Sequence, residues 1–142
     1  MKSEIQILAR TIYGEARGEY KKVSGGIGAL IAIANVVINR AQQKTWFGQT
    51  VVEVCLKRWQ FSCWNANDPN FYEISKDIIA DPIFNICLTV ADKVLKGEWP
   101  DLTKGCDHYY STILKKPPYW AQGKTPKCQI GQHLFFDLRK DA

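Results

Sequence analysis

The sequence predicts an α+β protein that is mainly helical, with few strands. Two observations support this. Apolar residues recur at helical spacing through the first two thirds of the chain, whereas the last third is rich in proline, glycine and aromatic residues without a sustained period. The chain has 142 residues, 46% of them hydrophobic, which suffices for one hydrophobic core. No repeat, low-complexity tract or linker divides it, so we expect one domain over residues 1–142.

The first predicted helix covers residues 3–17. Ser3 is a good N-cap, and Gly18 is a natural place for the helix to stop. Apolar residues mark one face at helical spacing: Ile5, Leu8, Ile12 and Ala16.

A loop over residues 21–26 leads to the second predicted helix, residues 25–43, for which Ser24 can serve as the cap. Its apolar face is long and regular, which predicts that this helix forms the centre of the core. The face consists of Ile27, Leu30, Ile31, Ala34, Val37, Ile38 and Ala41.

Shorter elements follow. Thr50 is expected to cap a helix that ends at Leu56, and residues 60–64 are expected to be extended. The turn-rich residues 65–70 then precede a predicted helix over residues 72–80.

The next helix has the clearest start signal in the chain. Asp81 is expected to cap it and Pro82 to open it; the helix should run to Lys96 and end at Gly97. Residues 99–131 are expected to form loops with short strands, and residues 130–138 give the clearest strand pattern.

The composition predicts which kinds of partner, bond and cofactor this protein has. The net charge is +5, but the basic residues are scattered, so we expect a solvated surface and no nucleic-acid partner. No apolar stretch reaches the roughly 20 residues of a membrane span, which predicts no stable membrane insertion. The five cysteines form no CxxC pair, so buried free thiols are expected. His108 and His133 have no spaced carboxylate partner, which predicts hydrogen-bonding roles, no metal and no cofactor.

Glu15 is a carboxylate that falls inside or beside the apolar stripe of its helix, where a soluble helix normally has no charge. At about 100° per residue it lies close to Leu8 on the helical wheel. Apolar surroundings disfavour the charged form and raise the pKa of a carboxyl group, as a general acid needs. The alternative is that Glu15 forms an ion pair with Arg10, Arg17 or Arg40.

Four blocks of sequence, in order, resemble the SleB-type cell wall hydrolases, the family of spore cortex-lytic enzymes. The most specific block runs from Leu8 to Glu19 and contains Gly-Glu-Ala-Arg-Gly-Glu. The second block ends in Asn39-Arg40. The third is Gln60-Phe61-Ser62-Cys63-Trp64, and the C-terminal block includes His108-Tyr109-Tyr110, Pro118-Tyr119-Trp120 and residues 130–136.

The resemblance implies a lysozyme-like fold with a small antiparallel sheet, and cleavage of peptidoglycan between N-acetylmuramic acid and N-acetylglucosamine. It implies that Glu15 is the catalytic acid and that the reaction is lytic transglycosylation, which leaves 1,6-anhydro-muramic ends. Hydrolysis on the same fold, with Glu19 as the second carboxylate, is one alternative. A catalytically silent module that binds the wall is another.

The substrate-binding residues are predicted less directly. Gln60 and Ser62 would share one side of a strand and could bind the N-acetyl group of a sugar. Aromatic residues could stack on sugar rings or could pack in the core. The full set predicted to contact substrate is Glu19, Tyr13, Gln60, Ser62, Trp64, His108, Tyr109, Tyr110 and Trp120.

The start of the chain also bears on localisation. Met1 is followed by Lys2, Ser3 and Glu4 and then by a helical pattern, so no signal peptide is visible. We expect a monomer that is made in the cytoplasm and acts on the wall after release, as a phage or prophage lysin does. A longer native gene with an export signal is the alternative.

Overall fold

The computed structural model describes residues 3–22, 26–57, 60–75, 78 and 80–139. Within these ranges the chain is mainly helical with one small antiparallel sheet, which confirms the α+β class. The helices are α1 (Glu4–Tyr20), α2 (Gly26–Gln43), α3 (Val51–Leu56), α4 (Pro69–Ser75) and α5 (Pro82–Leu95). The strands are β1 (His108–Ser111), β2 (Cys128–Ile130) and β3 (His133–Phe136), and short 3-10 turns lie at Ser62–Trp64 and Tyr119–Ala121.

Helix α1 begins as predicted, because the Ser3 hydroxyl accepts a hydrogen bond from the Gln6 amide. The predicted stop at Gly18 is wrong, since the helix continues to Tyr20. A glycine inside a helix costs only about 1 kcal/mol. Here the buried contacts of Glu19 and the packing of Tyr20 on the core outweigh that cost.

Helix α2 covers residues 26–43, in agreement with the prediction, while Ser24 lies outside the described residues. It packs against α1 and α5, and these three helices enclose most of the hydrophobic core. The central helix contributes mainly its fully buried residues: Ala29, Leu30, Ala32, Ile33, Ala34, Val36 and Val37.

The capping predictions for α3 and α5 are also confirmed. The Thr50 side chain accepts from the Glu53 amide, and the Asp81 side chain accepts from the Ile83 amide at 2.8 Å. Gly97 follows α5 with φ +72°, a left-handed conformation that suits glycine at a helix end.

The extended segment predicted over residues 60–64 is wrong, because Ser62–Trp64 forms a 3-10 turn. Hydrogen bonds of the Gln60 side chain and the packing of Cys63 against α1 bend the chain there. These contacts come from distant parts of the sequence, so local alternation could not reveal them.

The helix predicted over residues 72–80 begins earlier and ends earlier, at Pro69 and Ser75. The Asp68 side chain accepts from the Asn70 amide at 2.8 Å, so Asp68-Pro69 is a start signal of the same kind as Asp81-Pro82. Ile78 and Ala80 are not helical, and residues 76, 77 and 79 lie outside the described residues.

The single strand predicted over residues 130–138 is in fact parts of two strands. A turn at Gly131 and Gln132 separates β2 from β3, and Gly131 has φ +60°. The sheet order is β1-β3-β2, with His108 opposite Phe136 and Cys128 opposite Phe135. Tyr109 of β1 contacts Glu15 of α1, so the sheet lies against the first helix.

None of the helices in the described ranges is long and apolar enough to cross a membrane. The cysteines form no disulfide; four of them are buried and Cys128 is partly buried, close to the expected set of buried thiols.

Candidate active site

A groove of about 490 Å³ lies where α1, α2, the Ser62–Trp64 turn and β1 meet. It brings together six of the residues predicted from the sequence: Glu15, Gln60, Ser62, His108, Tyr109 and Trp120. Two further lining residues, Arg40 and Trp46, were not predicted.

Glu15 lies on the inner face of α1 and is partly buried, as the helical wheel predicted. The hydroxyl of Tyr109 on β1 donates a hydrogen bond to Glu15 Oε1 at 2.5 Å. Within the described residues Glu15 forms no ion pair with an arginine. Arg10 donates to the Ile74 carbonyl oxygen, Arg17 packs over the ring of Tyr13, and Arg40 donates to Asp107 and Gln60. Glu15 is therefore held by a neutral donor.

The pKa of Glu15 is raised above the ordinary value for a glutamate. Burial is the main cause; hydrogen bonds from Tyr109 and from the thiol and amide of Cys63 lower the pKa but do not cancel the effect. The negative charge of Asp68 raises the pKa further. The carboxyl group thus keeps its proton to a higher pH than an exposed glutamate, which suits a general acid.

Gly14 allows the Ser62–Trp64 turn to lie directly against α1. A Cβ atom at this position would be 2.7 Å from Cys63 Cβ and 2.8 Å from Cys63 Sγ. It would also be 3.0 Å from Ile74 Cγ2. The glycine of the Gly14-Glu15 pair therefore has a packing role, which is to admit Cys63 beside the carboxyl group.

Arg40 brings a buried positive charge to the groove. Its Nε donates to the Asp107 carbonyl oxygen at 2.8 Å, and its Nη1 donates to Gln60 Oε1 at 3.0 Å. Burial lowers the pKa of Arg40, while the nearby Tyr109, Asp107 and Glu15 raise it. A signal for this residue existed in the sequence, because position 40 follows Val37 by three residues on the apolar face of α2.

Gln60 and Ser62 both line the groove although the strand expected to align them is absent. The Gln60 amide group is engaged within the protein, donating to the Phe47 carbonyl oxygen and accepting from Arg40. The Ser62 side chain is exposed. Gln60 thus positions its neighbours, and Ser62 presents a hydroxyl group to the groove.

Aromatic rings form one wall of the groove. The rings of His108 and Trp120 lie 4.8 Å apart, and Trp46 packs on Phe47 with ring centroids 4.4 Å apart. Trp46 is 64% exposed, which is unusual for so large an apolar side chain. No periodic pattern marks Trp46 in the sequence, because it lies in the segment between α2 and α3.

His108 makes a hydrogen bond, as predicted, and its partner is the adjacent carboxylate of Asp107. Its Nδ1 lies 2.9 Å from Asp107 Oδ1. Although burial raises the pKa of Asp107, hydrogen bonds from His108, Gln43 and the Leu138 amide lower it overall. Asp107 therefore stays ionised and orients the imidazole ring.

Three of the predicted aromatic residues lie outside the groove. The Tyr13 hydroxyl donates to Asp81 Oδ2 at 2.6 Å, and Tyr13 is buried. Trp64 Nε1 donates to Thr11 Oγ1 at 2.8 Å. The Tyr110 ring stacks on Phe136 with centroids 5.6 Å apart. These rings pack within the protein, the alternative that the sequence left open.

Glu19 also lies outside the groove. It is buried, and its carboxylate accepts from the Gln132 amide at 2.7 Å and pairs with Lys22 at 3.2 Å. Burial raises its pKa, but the Gln132 amide and Lys22 lower it more, so the net shift is downward. Glu19 joins the end of α1 to the turn between β2 and β3.

Within the part of the chain that the structure describes, no three His, Cys, Asp or Glu side chains gather as a metal site. The groove instead places a carboxyl group with a raised pKa beside aromatic rings, an arrangement that can serve acid–base chemistry. In a comparison with protein families, residues 26–136 match the family model described as Cell Wall Hydrolase. The chain belongs to this family, the SleB-type cell wall hydrolases.

Membership of this family indicates an enzyme that acts on peptidoglycan in the cell wall. The match begins at residue 26, so the block around Glu15 lies before the matched residues. Searches of curated proteins and of solved structures found no match to the chain.

Proposed function

We propose that this protein is a lytic transglycosylase that cleaves the glycosidic bond between N-acetylmuramic acid and N-acetylglucosamine, with Glu15 as the catalytic residue. One observation carries the proposal. Among the described residues that line the groove, Glu15 is the only carboxylic acid, and burial raises its pKa. Hydrolysis ordinarily uses two carboxyl groups, whereas transglycosylation requires only one.

In the first step the protonated carboxyl group of Glu15 gives its proton to the glycosidic oxygen. The bond between that oxygen and the anomeric carbon of muramic acid breaks, and the electron pair leaves with the oxygen. Positive charge develops on the sugar, and the Glu15 carboxylate that remains is well placed to stabilise it.

In the second step the 6-hydroxyl group of the same muramic acid attacks the anomeric carbon. The Glu15 carboxylate takes the proton of that hydroxyl group and returns to its starting form. A new carbon–oxygen bond closes the 1,6-anhydro ring, and no water molecule is consumed.

The other groove residues suit this reaction. The indole rings of Trp46 and Trp120 offer apolar faces to sugar rings, and Ser62 offers a hydroxyl group. The buried charge of Arg40 lies close enough to interact with Glu15 without an ion pair. Such a charge favours the carboxylate that forms after proton transfer.

Digestion of purified sacculi tests the proposal. The wild-type protein should release muropeptides with anhydro ends, and Glu15→Gln should release none while retaining its fold by circular dichroism. Glu4→Gln is the matched control, because Glu4 is exposed at the start of the same helix. Full activity in Glu15→Gln would overturn the assignment of the catalytic residue. Binding of sacculi without any release by the wild type would indicate a silent wall-binding module.

Hydrolysis of the same bond is the second candidate, and one observation favours it. Asp107 holds His108 through Nδ1 in the groove, which leaves Nε2 as the nitrogen that could take a proton from water. Mass spectrometry separates the two reactions. Hydrolysis gives reducing ends, and its product is heavier than the anhydro product by one water molecule.

A further inference from the structure

Glu15 lines a second groove as well as the first. This second groove, of about 280 Å³, is formed by the C-terminal half of α1 and the start of α4. Its lining residues are Gly14, Glu15, Arg17, Gly18, Lys21 and Asn70. Glu15 is the one residue common to both lining sets, so the two grooves adjoin at this residue.

The chemistry of the second groove differs from that of the first. Its described lining residues include no aromatic ring but two cations, Arg17 and Lys21, together with the amide of Asn70. At Gly18 a Cβ atom would meet nothing within 4 Å, so the helix surface there is open. A groove of this kind is suited to a negatively charged group rather than to the face of a sugar ring.

Arg17 is held in place and has an unused donor. Its guanidinium group lies 4.9 Å from the ring centroid of Tyr13, and Tyr13 is fixed by its hydrogen bond to Asp81. Arg17 Nη1 is buried and has no hydrogen-bond partner among the described residues. A buried guanidinium nitrogen without a partner is costly, and a carboxylate is the ligand that best satisfies it.

The acidic residues in and near this groove already have partners. Glu15, which lines it, accepts from the Tyr109 hydroxyl group. Asp68 accepts from the Asn70 amide, and Asp81 accepts from Tyr13 and from the Ile83 amide. The charge of Lys21 also lowers the pKa of Asp81, by less than those hydrogen bonds do. Lys21 therefore adds to the positive field of Arg17 on this side of α1.

We propose that the second groove binds a carboxylate of the peptide stem that muramic acid carries, with Arg17 as the ligand and Lys21 as a supporting charge. The proposal rests on the proposed function, because it assumes that the glycan strand passes Glu15. It assigns to this protein a preference for peptidoglycan whose stems retain free carboxylates.

The test compares sacculi before and after their carboxylates are converted to amides with carbodiimide and ammonium ions. Wild-type protein should lose roughly ten-fold in kcat/KM on the amidated sacculi, as expected for the loss of one charge-assisted contact. On untreated sacculi, Arg17→Gln should have the kcat/KM that the wild type has on amidated sacculi. Amidation should not lower the kcat/KM of this variant further. Lys21→Gln, at an exposed position where folding is not at risk, should show the same pattern more weakly.

Lys96→Gln is the matched control, because it removes one positive charge from an exposed pair on α5, away from both grooves. Equal activity of the wild type on both substrates would overturn the proposal. The proposal would also be overturned if amidation lowered the kcat/KM of Arg17→Gln by the same factor as it lowers that of the wild type. If the wild type cleaved neither substrate, the proposed function itself would fail, and that result is distinct from both.

Discussion

The hydroxyl group of Tyr109 donates a hydrogen bond to Glu15 Oε1 at 2.5 Å, between residues 94 positions apart in the chain. It joins the first strand to the first helix. Burial and the charge of Glu15 raise the pKa of Tyr109 well above its ordinary value, so the phenol keeps its proton and remains a donor. This contact connects the sheet to the chemistry of the groove.

Replacing Tyr109 by phenylalanine should raise the pKa of Glu15, because the lost hydrogen bond lowers that pKa in the wild type. Since Glu15 acts as an acid, activity is lost as the pH rises through its pKa. The alkaline limb of the kcat/KM profile should therefore move to higher pH, and kcat should fall roughly ten-fold with the loss of a charge-assisted bond.

Tyr110→Phe is the control for this measurement, since Tyr110 is next in the same strand and stacks on Phe136. An alkaline limb that stayed in place or moved to lower pH in Tyr109→Phe would contradict the role given to this hydrogen bond.

Glu15→Gln should make the protein more stable at neutral pH. The folded-state pKa of Glu15 is raised, so the native state binds its proton more tightly than the unfolded chain. Wild-type stability accordingly falls as the pH rises from the ordinary glutamate pKa through the folded-state pKa. The gain in Tm of the variant should be small at about pH 4 and larger at about pH 7. A gain that did not depend on pH would argue against a buried, protonated Glu15.

Two glycines of α1 should respond in opposite ways to alanine. Gly14→Ala places a Cβ atom 2.7 Å from Cys63 Cβ, so we expect a loss of about 1–3 kcal/mol in the free energy of unfolding, with reduced activity. Gly18→Ala meets nothing within 4 Å and should gain about 0.5–1 kcal/mol from better helix propensity. Urea denaturation of both variants measures this difference, and a neutral Gly14→Ala would show that the turn can move away.

Glu19→Gln should destabilise the protein without abolishing catalysis. The carboxylate holds the Gln132 amide and pairs with Lys22, so its loss should cost about 1–3 kcal/mol at neutral pH. Its pKa is lowered in the folded state, so this stability is present above the ordinary glutamate pKa and is lost as the pH falls through the folded-state pKa. Denaturation at several pH values should show the gap from the wild type closing in acid.

Glu98→Gln is the comparison, because its exposed pair with Lys93 should contribute little. Complete loss of turnover in a folded Glu19→Gln would instead support a catalytic second carboxylate.

Trp46→Ala should weaken substrate binding and leave the fold intact. The ring is 64% exposed at the edge of the groove, so its removal should raise KM about two- to ten-fold, the range for one aromatic contact, with little change in Tm. Tyr119→Ala is a suitable control, since Tyr119 is 89% exposed and does not line the groove. An unchanged KM in Trp46→Ala would remove this residue from the binding surface.

Local patterns predicted most of the helical framework correctly. The apolar period of α2 and the caps Ser3, Thr50 and Asp81 specify their helices through contacts within a few residues. The position of Glu15 on an apolar face is likewise a property of one helix, so the wheel alone could single it out.

The structure differs from the local predictions where distant parts of the chain meet. Residues 62–64 form a turn because Cys63 packs against Gly14 and Gln60 bonds to Phe47, neither of which is a local interaction. Tyr13 was expected at the substrate, but it faces α5 and bonds to Asp81. Aromatic residues serve equally well in a core or a groove, so their composition cannot distinguish the two.

What the amino-acid sequence by itself determined is the helical α+β class, the family and the unusual position of Glu15, because each depends on periodicity or on a contiguous motif. Only the tertiary structure decided what surrounds that carboxyl group: Tyr109, Cys63 and Arg40 on one side, and the cationic second groove on the other. A pKa depends on burial and on charges in space, and the folded chain sets both at Glu15 with residues distant in sequence.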